Sequence, residues 1–146
     1  MADPHRPEDT RDGSGGLPVA IPFIESLGVR LIEMADGRAL ATMTPRPEHM
    51  NSWAVVHGGV LMSLLDFVMA MAGRSARTDL VNGGAGGNLT VEMKTTFISP
   101  GKGTLTVTAH CLHAGRSLSF CEGEILNADQ QLVARASGTF KFWKNP

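Results

Sequence analysis

The sequence is poor in the residues that characterise several large protein classes. It has two cysteines, no tyrosine and only 5% aromatic residues. A small secreted domain held by disulfides usually has more cysteines, so we expect Cys111 and Cys121 to be free thiols in a reducing compartment. So few aromatic residues provide no platform for stacking nucleic-acid bases. A net charge of −1 likewise gives no electrostatic attraction to nucleic acid.

The chain also lacks the patterns that direct a protein to a membrane or out of the cell. Residues 1–16 are charged and rich in proline and glycine, without the apolar run of a secretory signal. We predict that they form a disordered tail and that residues 17–146 form one globular domain. The longest apolar run is interrupted by Asp66, so it is not expected to span a bilayer. A cytoplasmic protein is predicted.

The remaining pattern predicts an α+β domain built around one long helix. Residues 57–75 are apolar on nearly every side, which indicates a buried central helix. Before it, the pattern predicts a short helix over 18–27 and a hairpin that turns at Asp36-Gly37. After it, a loop is predicted over 77–87, with a mobile glycine cluster at 82–87. Four strands are then predicted at 88–98, 104–113, 118–127 and 132–143.

Alternation along these four strands predicts how they pack. In the first of them, Leu89, Val91, Met93 and Phe97 are expected on one face, opposite Thr90 and other polar residues. Short connections favour strands that neighbour each other, so we predict a four-strand antiparallel meander that wraps around the helix. The helix has more apolar surface than one sheet would cover. An obligate homodimer is therefore expected.

Asp66 is the single charged residue between Gly58 and Gly73. A carboxylate in such apolar surroundings is costly unless it has partners or a task. One hypothesis is a structural aspartate that bonds backbone groups at a helix or dimer contact. The other is a general base or nucleophile in a dry cleft.

The segment His57-Gly58-Gly59 lies where the long helix is predicted to begin. The first amides of a helix lack internal partners and the helix dipole is positive there, so this segment could bind an anion or a developing oxyanion. Asn51 could donate a further hydrogen bond, although it could equally be a turn residue. Gly58 and Asp66 are eight residues apart, or about 12 Å along a helix. If both act on one carbonyl, they must come from two antiparallel copies of the helix.

The spacing Asn51-x5-His57-Gly58-Gly59-x6-Asp66 resembles the signature of hotdog-fold acyl-CoA thioesterases, in particular the PaaI-like group. The resemblance implies a long helix wrapped by an antiparallel sheet, subunits that pair into homodimers and often tetramers, an acyl-CoA substrate and no cofactor. It also implies that the Gly58 amide and Asn51 polarise the thioester carbonyl, while Asp66 of the facing subunit acts as base or nucleophile.

The resemblance assigns further roles around this centre. His57 would position the Asn51 loop or the thioester, and Thr90 matches a position that carries a hydroxyl near the attacking water. Gly59 would contact the substrate, and the loop with Arg116, Ser117 and Leu118 would line the coenzyme A groove. The acyl pocket is expected to be built from the glycine-rich loop at 82–87 and from residues in or near the helix: Trp53, Met62, Phe67 and Met69.

Two other functions fit the same resemblance. One is a non-catalytic acyl-CoA sensor, which would usually carry a fused regulatory segment that this sequence does not show. The other is an enoyl-CoA hydratase, which needs an acid and a histidine ahead of the helix. Only Glu48 beside His49 is so placed. No cysteine or histidine spacing typical of a metal site is present.

Overall fold

The structure, a computed structural model, describes residues 20–77, 79 and 86–144. Their strands form a six-stranded antiparallel sheet in the order β1-β2-β4-β5-β6-β3. The predicted α+β architecture is confirmed. In chain order the elements are α1 (Pro22–Ser26), β1 (Arg30–Ala35), β2 (Arg38–Met43), a 3-10 turn (Pro47–His49), α2 (Gly58–Ser75), β3 (Gly86–Phe97), β4 (Leu105–Ala114), β5 (Leu118–Leu126) and β6 (Leu132–Lys144).

The predicted four-strand meander is wrong at its first connection. β3 pairs with β6, whereas β4 pairs with β2 and β5. The Pro100-Gly101 turn therefore does not close a hairpin. The chain crosses the end of the sheet there, and the Val56 amide donates to the Gly101 carbonyl over 3.1 Å. This crossing leaves β3 as the last strand at one edge of the sheet.

α2 fills the concave side of the sheet, as its composition predicts. Its sheet-facing side chains are fully buried, and β2, β3, β4, β5 and β6 all pack against it. Gly73 allows the closest approach, because a Cβ there would lie 2.6 Å from the Ser119 Oγ on β5. One stripe along the helix stays partly exposed in the single chain. It consists of Gly59, Met62, Ser63, Asp66 and Ala70.

The alternation predicted for β3 holds only in part. Met93 packs against the core, but Leu89 and Val91 are 57% and 58% exposed. A β-bulge between Thr90 and Glu92 shifts the pleat by one residue. Thr90, placed on the outer face by the simple alternation, therefore points to α2.

The other boundaries follow the sequence closely. The Asp36-Gly37 turn has φ of 51° and 77°, as the tight hairpin turn requires. The first helix is shorter than predicted and begins at Pro22. The tail over 1–16 and most of the glycine cluster lie outside the described residues, whereas residues 86 and 87 belong to β3. Within the described ranges, no helix combines the length and apolar character needed to cross a membrane.

Candidate active site

The first turn of α2 presents one free backbone donor. His57 is the N-cap, and its Nδ1 accepts the Gly59 amide over 2.8 Å. The amides of Val60 and Leu61 donate to the His57 carbonyl. The Gly58 amide, in contrast, donates to no group in the described part of the chain. The helix start therefore keeps one N–H available to an external acceptor, at the positive end of the helix dipole.

Asn51 shapes the loop that leads to this helix start. Its Oδ1 accepts the amides of Trp53 and Val55 over 2.9 and 3.3 Å, which makes an Asx turn. The turn role considered from the sequence is therefore confirmed. Its Nδ2 donates no hydrogen bond to the described residues. The side chain is thus held by its oxygen, and its amide donor stays available.

Asp66 lies midway along α2 and is partly exposed in the single chain. The hydroxyl of Thr90 donates to its Oδ1 over 2.6 Å. This is the one hydrogen bond of the Asp66 side chain within the described residues, and it leaves Oδ2 unoccupied by protein. The β3 bulge brings the hydroxyl to the helix. The resemblance implied only that the Thr90 hydroxyl lies near the attacking water, and its hydrogen bond to Asp66 is a contact that the structure adds.

The two halves of the candidate site do not meet within one chain. Gly58 lies against the ring of Phe97, because a Cβ at Gly58 would be 3.4 Å from its Cε1. Asp66 instead faces Thr90, which lies on β3 seven residues before Phe97. Along the helix, Gly58 and Asp66 are separated by about 12 Å. Sequence reasoning missed Phe97 as a neighbour of Gly58, since no local pattern links residues 39 positions apart.

The loop between β4 and β5 holds the other predicted binding residues. Arg116, Ser117 and Leu118 are all exposed. The Gly115 amide donates to the Leu118 carbonyl, and the Ser117 carbonyl accepts the Phe142 amide of β6, both over 2.8 Å. The loop therefore has a defined backbone, while its side chains face outward.

Glu48 and His49 have local structural partners. The Arg46 guanidinium donates to Glu48 over 2.7 Å, and this contact holds the pKa of Glu48 below its usual value. The Nδ1 of the buried His49 accepts the Arg46 amide over 3.0 Å. Both side chains thus stabilise the 3-10 turn, and this arrangement does not favour hydratase chemistry.

The predicted pocket residues divide into two groups. Phe67 and Met69 are buried core residues, so they are wrongly placed as lining of an accessible pocket. Trp53 and Met62 are exposed, Trp53 at 84%. In the described ranges, no three histidine, cysteine, aspartate or glutamate side chains cluster in a way that could hold a metal ion.

Comparison with known proteins identifies the family. The thioesterase superfamily profile matches residues 54–134, more than half of the chain. The chain belongs to the thioesterase superfamily. It is 34% identical to the acyl-coenzyme A thioesterase PaaI of Escherichia coli over 116 residues, 78% of this chain and 77% of that protein. It is 31% identical to the human acyl-coenzyme A thioesterase 13 over 114 residues, 76% of this chain and 77% of that protein.

The fold of this thioesterase is the hotdog fold of the PaaI-like group. The solved structure of the E. coli PaaI protein, from the phenylacetic acid degradation operon, superposes with a TM-score of 0.74 at 30% identity. The superposition covers 84% of this chain and 85% of that chain. The predicted fold and family are confirmed, and the protein is a thioesterase enzyme.

Proposed function

We propose that this thioesterase hydrolyses an acyl-CoA thioester to a free carboxylic acid and coenzyme A, in a site shared by two copies of the chain. The arrangement of Asp66 and Gly58 is the observation that carries the proposal. An oriented carboxylate and a free helix-start amide lie on one chain, too far apart to act on the same carbonyl. The acyl-coenzyme A thioesterases among the relatives support the substrate class.

The start of α2 supplies the hydrogen-bond donors that polarise the thioester carbonyl. The Gly58 amide and the Nδ2 of Asn51 donate to the thioester oxygen and stabilise the negative charge that develops on it. The Asx turn holds Asn51 through its oxygen, so the donor is oriented before the substrate arrives. Since the His57 Nδ1 accepts a hydrogen bond, the neutral ring carries its proton on Nε2. His57 thus fixes the helix start and presents an N–H beside it.

Asp66 supplies the other half, as general base on water or as nucleophile. The Thr90 hydroxyl occupies Oδ1 and leaves Oδ2 for the reacting atom. As a base, Asp66 takes a proton from water while the water oxygen attacks the thioester carbon. As a nucleophile, its oxygen forms an anhydride that water then hydrolyses. In both routes the carbon–sulfur bond breaks and the coenzyme A thiolate leaves. It becomes the thiol by taking the proton that Asp66 accepted in the first route, or a proton from water in the second.

The exposed edge of the sheet supports self-association. β3 is an end strand of twelve residues with exposed apolar side chains, and such an edge favours pairing with another strand. If two β3 strands pair antiparallel about a point between Met93 and Lys94, Thr90 lies opposite Phe97 of the partner subunit. Because Thr90 contacts Asp66 and Phe97 contacts Gly58, this pairing brings Asp66 next to Gly58 of the partner subunit. A homodimer completes the site, and a tetramer would contain two such dimers.

The outward-facing loop of Arg116, Ser117 and Leu118 binds the coenzyme A part of the substrate, and Gly59 allows the thioester to approach the helix start. The Arg116 side chain has no partner among the described residues, so its charge is available to phosphate. Such binding acts equally on ground and transition states, so it lowers KM without raising kcat.

Thiol release from a panel of acyl-CoAs, aromatic and aliphatic, tests the reaction. Asp66→Asn should reduce kcat about 10²-fold or more, within the range for removal of a general base. Asp129→Asn, at the exposed β5–β6 turn, is the matched control and should keep full activity. Unchanged kcat in Asp66→Asn would contradict the assigned role. Absence of thiol release by the wild type across the panel would contradict the reaction itself.

A further inference from the structure

Arg77 connects the end of α2 to the loop between β4 and β5. It lies two residues beyond Ser75, the last residue of the helix. Its Nη1 donates to the Gly115 carbonyl over 2.7 Å and to the Arg116 carbonyl over 3.3 Å. Two consecutive carbonyls of the loop therefore share one cationic donor, and charged donors make the stronger hydrogen bonds.

The rest of the guanidinium is engaged as well. Nε and Nη2 donate to the two carboxylate oxygens of Asp79 over 2.9 and 2.7 Å. This pairing raises the pKa of Arg77 above its usual value. The flat face of the group lies 5.1 Å from the ring centroid of the buried Phe142 on β6. An arginine bound on both edges and one face has a fixed position, which lysine could not reproduce.

We propose that Arg77 is a positioning residue for coenzyme A binding, which acts by holding the backbone of Gly115 and Arg116. The inference rests on the proposed function, because it takes this loop as the coenzyme A binding segment. Arg77 does not itself bind phosphate, since its nitrogen atoms are already used by Asp79 and the loop. It fixes the direction in which the neighbouring Arg116 side chain leaves the backbone.

The loop keeps other supports when Arg77 is removed. The Gly115–Leu118 and Ser117–Phe142 backbone hydrogen bonds remain, so the β4–β5 connection stays closed. The lost contacts would widen the range of loop conformations in the free enzyme. Binding must then order the loop, and that cost appears in KM for the full substrate. Gly58 and Asp66 lie at the start and in the middle of α2, away from the helix end that Arg77 follows, so kcat should be unaffected.

The test compares Arg77→Gln and Arg77→Lys with the wild type on an acyl-CoA and on the matching acyl-pantetheine, which lacks the nucleotide. We expect KM for the acyl-CoA to rise about tenfold in both variants, with kcat within about twofold of wild type, as for loss of uniform binding. KM for the acyl-pantetheine should not change. Arg135→Gln removes an exposed charge on β6, far from the loop, and should leave both substrates unaffected.

A double variant separates positioning from direct contact. If Arg77 acts through Arg116, Arg77→Gln should add little to the KM increase caused by Arg116→Ala. Additive effects would show that Arg77 touches the substrate itself and would overturn the inference. An unchanged KM in both Arg77 variants, in a wild type that cleaves acyl-CoA, would also overturn it. If the wild type cleaves no acyl-CoA, the proposed function itself is wrong. The wild-type assay alone shows that result, so it is distinguished from a failure of the role given to Arg77.

Discussion

Mixing two inactive variants measures whether each active site uses two copies of the chain. Asn51→Asp removes the amide donor but keeps an oxygen for the Asx turn, which accepts the Trp53 and Val55 amides. Asp66→Asn removes the carboxylate but keeps an oxygen that can accept the Thr90 hydroxyl. Both variants should therefore fold. Each homodimer alone should be nearly inactive, because every site in it carries one lesion.

The expected recovery follows from the symmetry of the proposed dimer. When equal amounts of the two variants are unfolded together and refolded, random pairing makes about half of the dimers mixed. In a mixed dimer, one site carries both substitutions and the other site carries neither. About a quarter of all sites are then intact, so the mixture should show about a quarter of the wild-type activity. If Asn51 and Asp66 of one chain served the same site, every site would carry a lesion and mixing would restore nothing.

The assay is thiol release at saturating acyl-CoA, with native mass spectrometry to measure the fraction of mixed dimers. Two controls bracket the result: the variants mixed without refolding, and one variant refolded alone. Recovery near zero in a sample that contains mixed dimers would refute the shared site, and with it the roles given to Asn51 and Asp66. A recovery that follows the fraction of mixed dimers as the mixing ratio changes would support it.

Three further predictions test individual contacts. Thr90→Val removes the hydroxyl that donates to Asp66, the proposed catalytic carboxylate. It should lower kcat about tenfold or more, the usual value of a hydrogen bond to a charged group, whereas Thr90→Ser should retain activity. Gly73→Ala would place its Cβ 2.6 Å from the Ser119 Oγ. Thermal unfolding should therefore show a free energy of unfolding lower by about 1–3 kcal/mol, and adding Ser119→Ala should partly restore it. Burial, with smaller contributions from the neighbouring Cys111, raises the pKa of the Cys121 thiol to about 12. Cys121 is only 1% exposed and Cys111→Ser keeps that burial, so the folded variant should take up no maleimide at pH 8 until it is denatured.

Much of the fold could be predicted from the sequence because its signals are local. The Asp36-Gly37 turn depends on two residues that tolerate positive φ, and the long helix depends on a continuous apolar run with His57 at its start. The candidate residues Asn51, Gly58 and Asp66 could be found in the same way, since each is unusual in its immediate surroundings. Interactions within a few residues do not require knowledge of the rest of the chain.

The tertiary structure decided the order of the strands and the direction of Thr90. Alternation places Thr90 away from the helix, and only the β3 bulge turns its hydroxyl to Asp66, 24 residues earlier. The pairing of β3 with β6 is also nonlocal, because short connections favour β4 as its neighbour. A bulge and a crossing depend on how the whole sheet closes over α2, which no local pattern records.

The contacts of Arg77 with the β4–β5 loop likewise became visible only in the tertiary structure. In sequence, Arg77 is one arginine in a polar stretch, 38 residues before the carbonyl of Gly115 that it binds. The sequence by itself determined the family, the long helix and the reactive residue types. Tertiary packing decided which of those residues meet, since hydrogen bonds between distant segments form only where the folded backbone brings donor and acceptor within about 3 Å.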